Sequence, residues 1–412
     1  YSPTTNNTPT RGRYSPFLFD GITFSTGGYS AEYGQALSSV LLLNTIDEPD
    51  QEKTDIGIMT VGGTLGNTQK WTKSSLSVNA SYINLAPYLE VFKDRNDWKK
   101  PFETMAGEAV FRQKFDEGLF KLYAAFDSSN FELTQDDINY EDGIYFKLKN
   151  NNLYVNSSYQ GMLSDTWSVF GGMSFTYADE KLNIIDNKIR DQEHSAHVKF
   201  KLKKRFSNRF KLYFGSEYFT TNFNEEFSCD VVDKTDYGYN NSIFASYLEA
   251  DLIFSKKFAL KAGLRAENTS LFNEFTISPR LSLAYKTSGK SQMSLAYGNF
   301  YQNPQSNVLK FTQDIESQQT KHYILNYQFN SEGQIFRAEA YYKDYNNLLK
   351  YDDEFTDFDT NFSNDGYGFA KGIDLFWRDN KSIKNTDYWV SYSYLDSKRN
   401  YRNYPMEAQP NF

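Results

Sequence analysis

From about residue 54 onward, apolar and polar side chains alternate with a period of two. In 258–267, Phe258, Leu260, Ala262, Leu264 and Ala266 fall on one face, and Ala259, Lys261, Gly263, Arg265 and Glu267 on the other. The run 336–343 repeats this, with Phe336, Ala338, Ala340 and Tyr342 against Arg337, Glu339, Tyr341 and Lys343. So does 198–203, where lysines alternate with Val198, Phe200 and Leu202. Strand side chains point alternately to opposite faces, whereas an amphipathic helix needs apolar positions 3.6 apart. The alternation predicts strands, 17 in all from 55–60 to 387–395, among them 118–128, 151–162, 166–178, 193–206 and 210–221. Most are about ten residues long, the length a tilted strand needs to cross a hydrocarbon layer.

The connections have their own rhythm. Short turns at 116–118, 163–165, 207–209, 255–257, 287–290 and 330–333 alternate with long polar excursions at 85–103, 129–150, 179–192, 222–240, 301–317 and 347–366; 270–275 is the one modest exception. Short turns at one end and long loops at the other are the pattern of an outer-membrane barrel. A soluble sandwich mixes loop lengths at both ends, and no fixed-period repeat points to a solenoid or propeller. Phenylalanines flank the short turns (Phe115 and Phe120, Phe206 and Phe210, Phe254 and Phe258, Phe329 and Phe336), as an interfacial girdle requires. The expectation is an all-β chain, a transmembrane antiparallel up-and-down β-barrel. An odd strand number leaves an edge that lipid does not tolerate, so both ends read as truncations. Neither a secretory leader at Tyr1–Asn6 nor a closing strand near Pro405 and Pro410 is expected.

Composition narrows the alternatives. A single cysteine, Cys229, rules out a disulfide framework. Aromatics make up 17% of the 412 residues, too many for a disordered chain. The longest aliphatic run, Val40–Leu43, is far shorter than a spanning helix. A mean hydropathy of −0.66 leaves a barrel possible, since only alternate residues face lipid. A net charge of −8 argues against a nucleic-acid partner, which needs a basic face.

Residues 1–46 do not alternate. The run Gly27-Gly28-Tyr29-Ser30-Ala31-Glu32-Tyr33-Gly34 leads through small residues to the strand Val40–Thr45. A Gly-rich hairpin follows at Asp55–Gly66. Later come Pro279-Arg280-Leu281, Tyr297-Gly298-Asn299-Phe300, Tyr341-Tyr342-Lys343-Asp344-Tyr345 and Ala370-Lys371-Gly372-Ile373-Asp374. In this order the segments resemble the TonB-dependent outer-membrane transporters, along essentially the whole chain. The resemblance implies residues 1–46 as the C-terminal remnant of a plug domain and 47–412 as the barrel. It also implies about 22 strands around a plugged lumen, so about five lie beyond residue 412. The barrel then starts at the periplasm, with short turns there and long loops outside. The resemblance implies active import of a scarce ligand of the ferric siderophore, cobalamin, peptide or glycan class. TonB and its inner-membrane energising complex would be partners through the missing N-terminal part, with lipid bilayer and lipopolysaccharide around the wall. The plug ending differs from that of the SusC-like glycan importers. The alternatives are a passive porin and a surface receptor without energised import.

Little else in the chain suggests chemistry. His194 and His197 fall on opposite faces of a strand and His322 stands alone, so no metal site, cofactor or catalytic residue is expected, and no enzyme. The basic stripe Lys199, Lys201, Lys203, Lys204 and Arg205 is expected to face the lumen and meet acids there. The acidic loop 352–359 reads as a solvated loop rather than a calcium site. Loop aromatics Tyr88, Trp98, Tyr237, Tyr239, Tyr301 and Phe355, with Phe92 and Phe300, are the candidates for stacking on a ligand. Arg11, Arg13 and Glu32 are the candidates for ion pairs with lumen charges Arg265, Glu267, Arg280 and Glu339.

Overall fold

The structure, a computed structural model, describes residues 18–93, 95–230, 232–352, 359–404 and 406–409. It is almost entirely strand. A two-stranded unit comes first, β1 (Phe19–Ser25) antiparallel to β2 (Val40–Thr45), with Thr23 opposite Leu42. Then follow β3 (Lys53–Met59), β4 (Gly62–Lys70), β5 (Ser74–Asn84), β6 (Asp97–Phe115), β7 (Gly118–Asp137), β8 (Tyr140–Ser164), β9 (Trp167–Ile184) and β10 (Asn187–Arg205). The series continues with β11 (Phe210–Cys229), β12 (Val232–Ile253), β13 (Phe258–Thr269), β14 (Glu274–Lys286), β15 (Ser291–Gln302), β16 (Gln318–Ser331), β17 (Gln334–Tyr351), β18 (Phe362–Asp379) and β19 (Tyr388–Asn400). Two short helices, α1 (Ala86–Val91) and α2 (Ser306–Leu309), lie in connections. No helix among the described residues is long and apolar enough to cross a membrane.

Strands β3 to β19 form one antiparallel sheet in sequence order, curled into a barrel that brings β19 beside β3. That barrel is closed, and the consecutive pairs keep a continuous antiparallel register apart from local bulges in pairs such as β6–β7 and β17–β18. Because the period is two, register carries sidedness round the wall. Lys199 stands opposite Glu217, Glu217 opposite Ala245, Ala245 opposite Glu267 and Glu267 opposite Thr276. All of these face the lumen. The other face presents Val198, Phe200, Phe214, Phe244, Leu248 and Leu264, each left about half exposed (42–53%). A continuous apolar belt of this size is stable only against an apolar surrounding. At the short-turn end Phe206 stacks on Phe210 at 4.9 Å, and Phe254 lies 5.6 Å from Phe258.

The strand count agrees with the alternation, but the strand lengths do not. The excursions expected at 129–150, 179–192 and 222–240 are mostly strand: β7 runs to Asp137, β9 to Ile184 and β11 to Cys229. At about 3.3 Å per residue, the 25 residues of β8 reach roughly 80 Å. That is well beyond a hydrocarbon layer of about 30 Å. The reason is an inversion of polarity. Toward the long-loop end the inward side chains Phe131, Leu133 and Leu148 are buried together with Leu85 and Phe102, while Glu132, Lys147 and Lys149 point outward. The apolar side changes from outside to inside, and alternation judged against one outer belt stops there.

Candidate functional site

The lumen is occupied. Residues 18–48 lie against the inner wall, where inward side chains of β6, β7, β10 and β12 to β17 contact them. The connection 26–39 between β1 and β2 is irregular, because its backbone groups bond to the wall rather than to a neighbouring strand. Alternation explains which wall residues are available: a charged side chain at an inward position has no lipid to avoid and meets this segment.

Wall donors, most of them arginines and lysines, bind the segment mainly through its backbone carbonyls. The Arg265 guanidinium donates to Ala31 O at 3.3 Å and Glu32 O at 3.2 Å. Arg280 donates to Tyr29 O and Ser30 O. Lys343 Nζ donates to Thr26 O at 2.5 Å and Ser38 O at 2.9 Å, and His322 Nε2 to Leu37 O at 2.8 Å. Nearer the barrel's first strand, Arg112 Nε donates to Ile46 O at 2.5 Å and Lys121 Nζ to Thr45 O at 2.7 Å. Glu249 takes the opposite role, accepting the Ala31 N–H at 2.9 Å.

The side-chain contacts are fewer. Lys199 and Lys201 of the basic stripe both reach the Glu32 carboxylate, at 3.0 and 2.9 Å. Lys199 also lies over the Tyr33 ring. Behind them, Arg265 (1% exposed) pairs with Glu217 and with Glu267 at 2.6 Å. Arg280 is also buried, but among the described residues no carboxylate pairs with it. It sits against the rings of Tyr29 and Phe300, whose centroids lie 5.0 and 4.5 Å away. Gly34 packs where side-chain atoms crowd it: a Cβ there would lie 2.3 Å from Glu267 Oε1 and 2.6 Å from Arg265 Nε. In the linker, hydrogen bonds from Lys114 and Lys70 hold the exposed Glu48 carboxyl below the ordinary glutamate range.

The expected ion-pair residues are therefore redistributed. Glu32 takes Lys199 and Lys201 rather than an arginine. Arg265 and Arg280 use carbonyls. Glu267 accepts from Gln35, and Glu339 accepts the Thr26 hydroxyl at 2.8 Å. Arg11, Arg13 and Phe355 lie outside the described residues. Lys343, His322, Arg112, Lys121 and Glu249 were not singled out by the sequence, although inward parity on their strands marks each as lumen-facing.

The loop aromatics do not form one site. Tyr88 and Phe92 pair with each other at 4.9 Å on and just after α1. Trp98 lies on β6, not in a loop, and packs with the Phe131 cluster because inward apolar residues are buried at that height. Tyr301 points outward and bonds Gln319, since alternation gives the inward position to its neighbour Phe300. Tyr237 and Tyr239 are strand residues of β12, and they meet the connection 303–317 folded over the lumen. Tyr237 packs edge-on to Phe311, and Tyr239 bonds Ser306 Oγ at 2.9 Å. That connection is fixed by a cluster including Phe223, Val308, Leu309, Ile315 and Leu349. Lys310 locks it to Glu225 at 2.6 Å.

Comparison with known proteins fits this architecture. The outer membrane transporter YddB from Escherichia coli superposes with a TM-score of 0.73 at 12% identity, over 93% of this chain and 64% of that one. The alcaligin outer membrane receptor FauA from Bordetella pertussis gives 0.68 at 11%, over 93% and 68%. The FrpB iron transporter from Neisseria meningitidis gives 0.71 at 12%, over 93% and 69%. This chain thus spans a little under two thirds of the YddB length. No curated protein matches the sequence. The family described as TonB dependent receptor-like, beta-barrel matches residues 4–412, and the chain belongs to that family.

Proposed function

We propose that this chain is the wall and the lumen-seated plug end of an energised importer in the cell outer membrane. Residues 1–46 are the end of the plug and 47–412 the barrel. The imported ligand is of the ferric siderophore, cobalamin, peptide or glycan class. TonB, through a preceding coupling segment, draws on the inner-membrane proton gradient. The observation that carries this reading is the seating of residues 18–48 on wall cations by their carbonyls. Hydrogen bonds to charged groups contribute about 1.5–3 kcal/mol each, so several together close the lumen. Most of these are neutral–ionic contacts; the exception is Glu32, whose carboxylate must part from Lys199 and Lys201 when the segment shifts. Similarity in fold to an iron transporter and to the alcaligin receptor supports a transport role. Tyr237 and Tyr239, beside the connection 303–317, are the ligand-facing aromatics this reading favours.

Single-channel recording of the full-length protein in a planar bilayer tests it. A closed, low-conductance state that becomes a large steady conductance when the lumen segment is deleted supports the importer. A large steady conductance with the segment in place would make the protein a passive porin and end this reading.

A further inference from the structure

Toward the long-loop end, one row of inward side chains crosses adjacent strands of the wall. Asn150 of β8 stands directly opposite Glu180 of β9, and Glu180 opposite Asp191 of β10. Asp191 stands opposite Glu225 of β11, and Glu225 opposite Tyr237 of β12. The row faces inward because it shares parity with Leu148 and Phe223, both buried inside the barrel. Three carboxylates therefore sit side by side, about 5 Å apart on adjacent strands, which is destabilising unless a cation joins them. One cation does. Lys310, of the connection 303–317, donates to both Glu225 oxygens at 2.7 and 2.6 Å, with its Nζ 4.7 Å from the Phe311 ring centroid. Two carboxylates are left over: among the described residues no cation pairs with Glu180 or Asp191. Glu180 Oε2 and Asp191 Oδ1 are buried there without a hydrogen-bond partner. Asn150 is 1% exposed, and its Nδ2 has no partner either.

Buried polar groups are as a rule hydrogen-bonded, so acceptors and a donor left open beside one another mark the place of a bound group. That group must bring charged donors to the acids and an acceptor to the amide. An alkylammonium does the first and a peptide carbonyl the second. Lys310, a lysine on a peptide segment, already shows the fit at Glu225. We propose that Glu180, Asp191 and Asn150 receive the lysine side chain and backbone of a bound peptide, with Lys310 as a competing ammonium in the same acidic row. The inference rests on the importer reading and chooses among its ligand classes, since an anionic ligand would meet a row of like charges.

Isothermal titration calorimetry of the detergent-solubilised full chain tests it. The probes are end-blocked tripeptides that differ only in the central residue: Gly-Lys-Gly, Gly-norleucine-Gly and Gly-Glu-Gly. The lysine peptide is expected to bind, and the other two roughly tenfold more weakly or worse. The E180Q/D191N variant should weaken the lysine peptide by a similar factor, with its circular dichroism unchanged. Glu225 is kept in that variant because its loss would also free the connection. K310Q should bind the lysine peptide about tenfold more tightly, since the competing ammonium is gone. A misfolded protein does not gain affinity, so this variant carries the test even where the double variant fails to fold. Equal binding of the norleucine peptide, unchanged affinity in E180Q/D191N, or weaker binding in K310Q overturns the proposal. So does a lysine peptide that binds neither the parent chain nor K310Q. Such a result in a protein whose lumen segment still blocks conductance would fault this site alone and leave the importer reading standing.

Discussion

Arg265 shows what a single inward position can do. It neutralises Glu217 and Glu267, both buried, and at the same time bonds two carbonyls of the lumen segment. Replacing it with methionine leaves the buried Glu267 carboxylate without its cation, while Glu217 keeps Lys199 at 3.8 Å and His197 at 3.1 Å; breaking such a buried pair costs about 3–5 kcal/mol. Denaturant titration of the refolded protein should show that loss. Lys73→Met, whose side chain is 61% exposed beside the exposed Asp116, should leave the unfolding midpoint nearly unchanged. Much of this site was legible before any coordinates. Parity alone places Arg265, Glu267, Arg280 and Glu339 on one side of their strands. It puts Lys199, Lys201 and Lys203 opposite Phe200, while Lys204 of the expected stripe falls on the Phe200 side, over the Trp167 ring. What parity does not carry is height and partner. A backbone carbonyl has no sequence signature, so the acceptors of Arg280, Lys343 and His322 are not legible, whereas Glu32 is an acid of the kind the basic stripe is expected to meet.

At the scale of elements, the connection 303–317 is the clearest unit with a separable role. Its apolar residues Val308, Leu309 and Ile315 pack on Phe223 and Leu349, and one buried ion pair, Lys310–Glu225, fixes its polar side. Glu225→Gln removes a charged hydrogen bond of about 1.5–3 kcal/mol, so the open population of the connection should rise roughly ten- to a hundredfold. Limited trypsin digestion reads this directly, because Lys310 is itself the cleavage point that opening exposes. Faster cutting after Lys310 with the other sites unchanged is expected. Unchanged cutting would show that the apolar cluster alone holds the connection. The strand extensions carry the main lesson on legibility. The membrane-crossing halves were readable because lipid demands an apolar outer face, and the turns were readable from their glycines, serines and asparagines. The outer halves were not, because there Phe131, Leu133 and Leu148 turn inward and polar side chains face out. A rule tuned to the belt reads such a stretch as loop.

For the molecule as a whole, family membership, barrel topology and an occupied lumen converge on one physical arrangement. Apolar side chains face an apolar medium, charged ones face inward, and the N-terminal segment fills the space between. Strand β10 offers the most direct check, since six consecutive residues alternate sharply. Cys229 is the single cysteine, and replacing it with serine frees the chain for spin labels placed one at a time from Val198 to Lys203. Power-saturation spectroscopy of the protein in lipid bilayers then measures access to oxygen, which concentrates in the hydrocarbon layer. High oxygen access at 198, 200 and 202, with low access at 199, 201 and 203, is the predicted outcome. Access that varies smoothly along the six positions, or is highest at the lysines, would contradict the account.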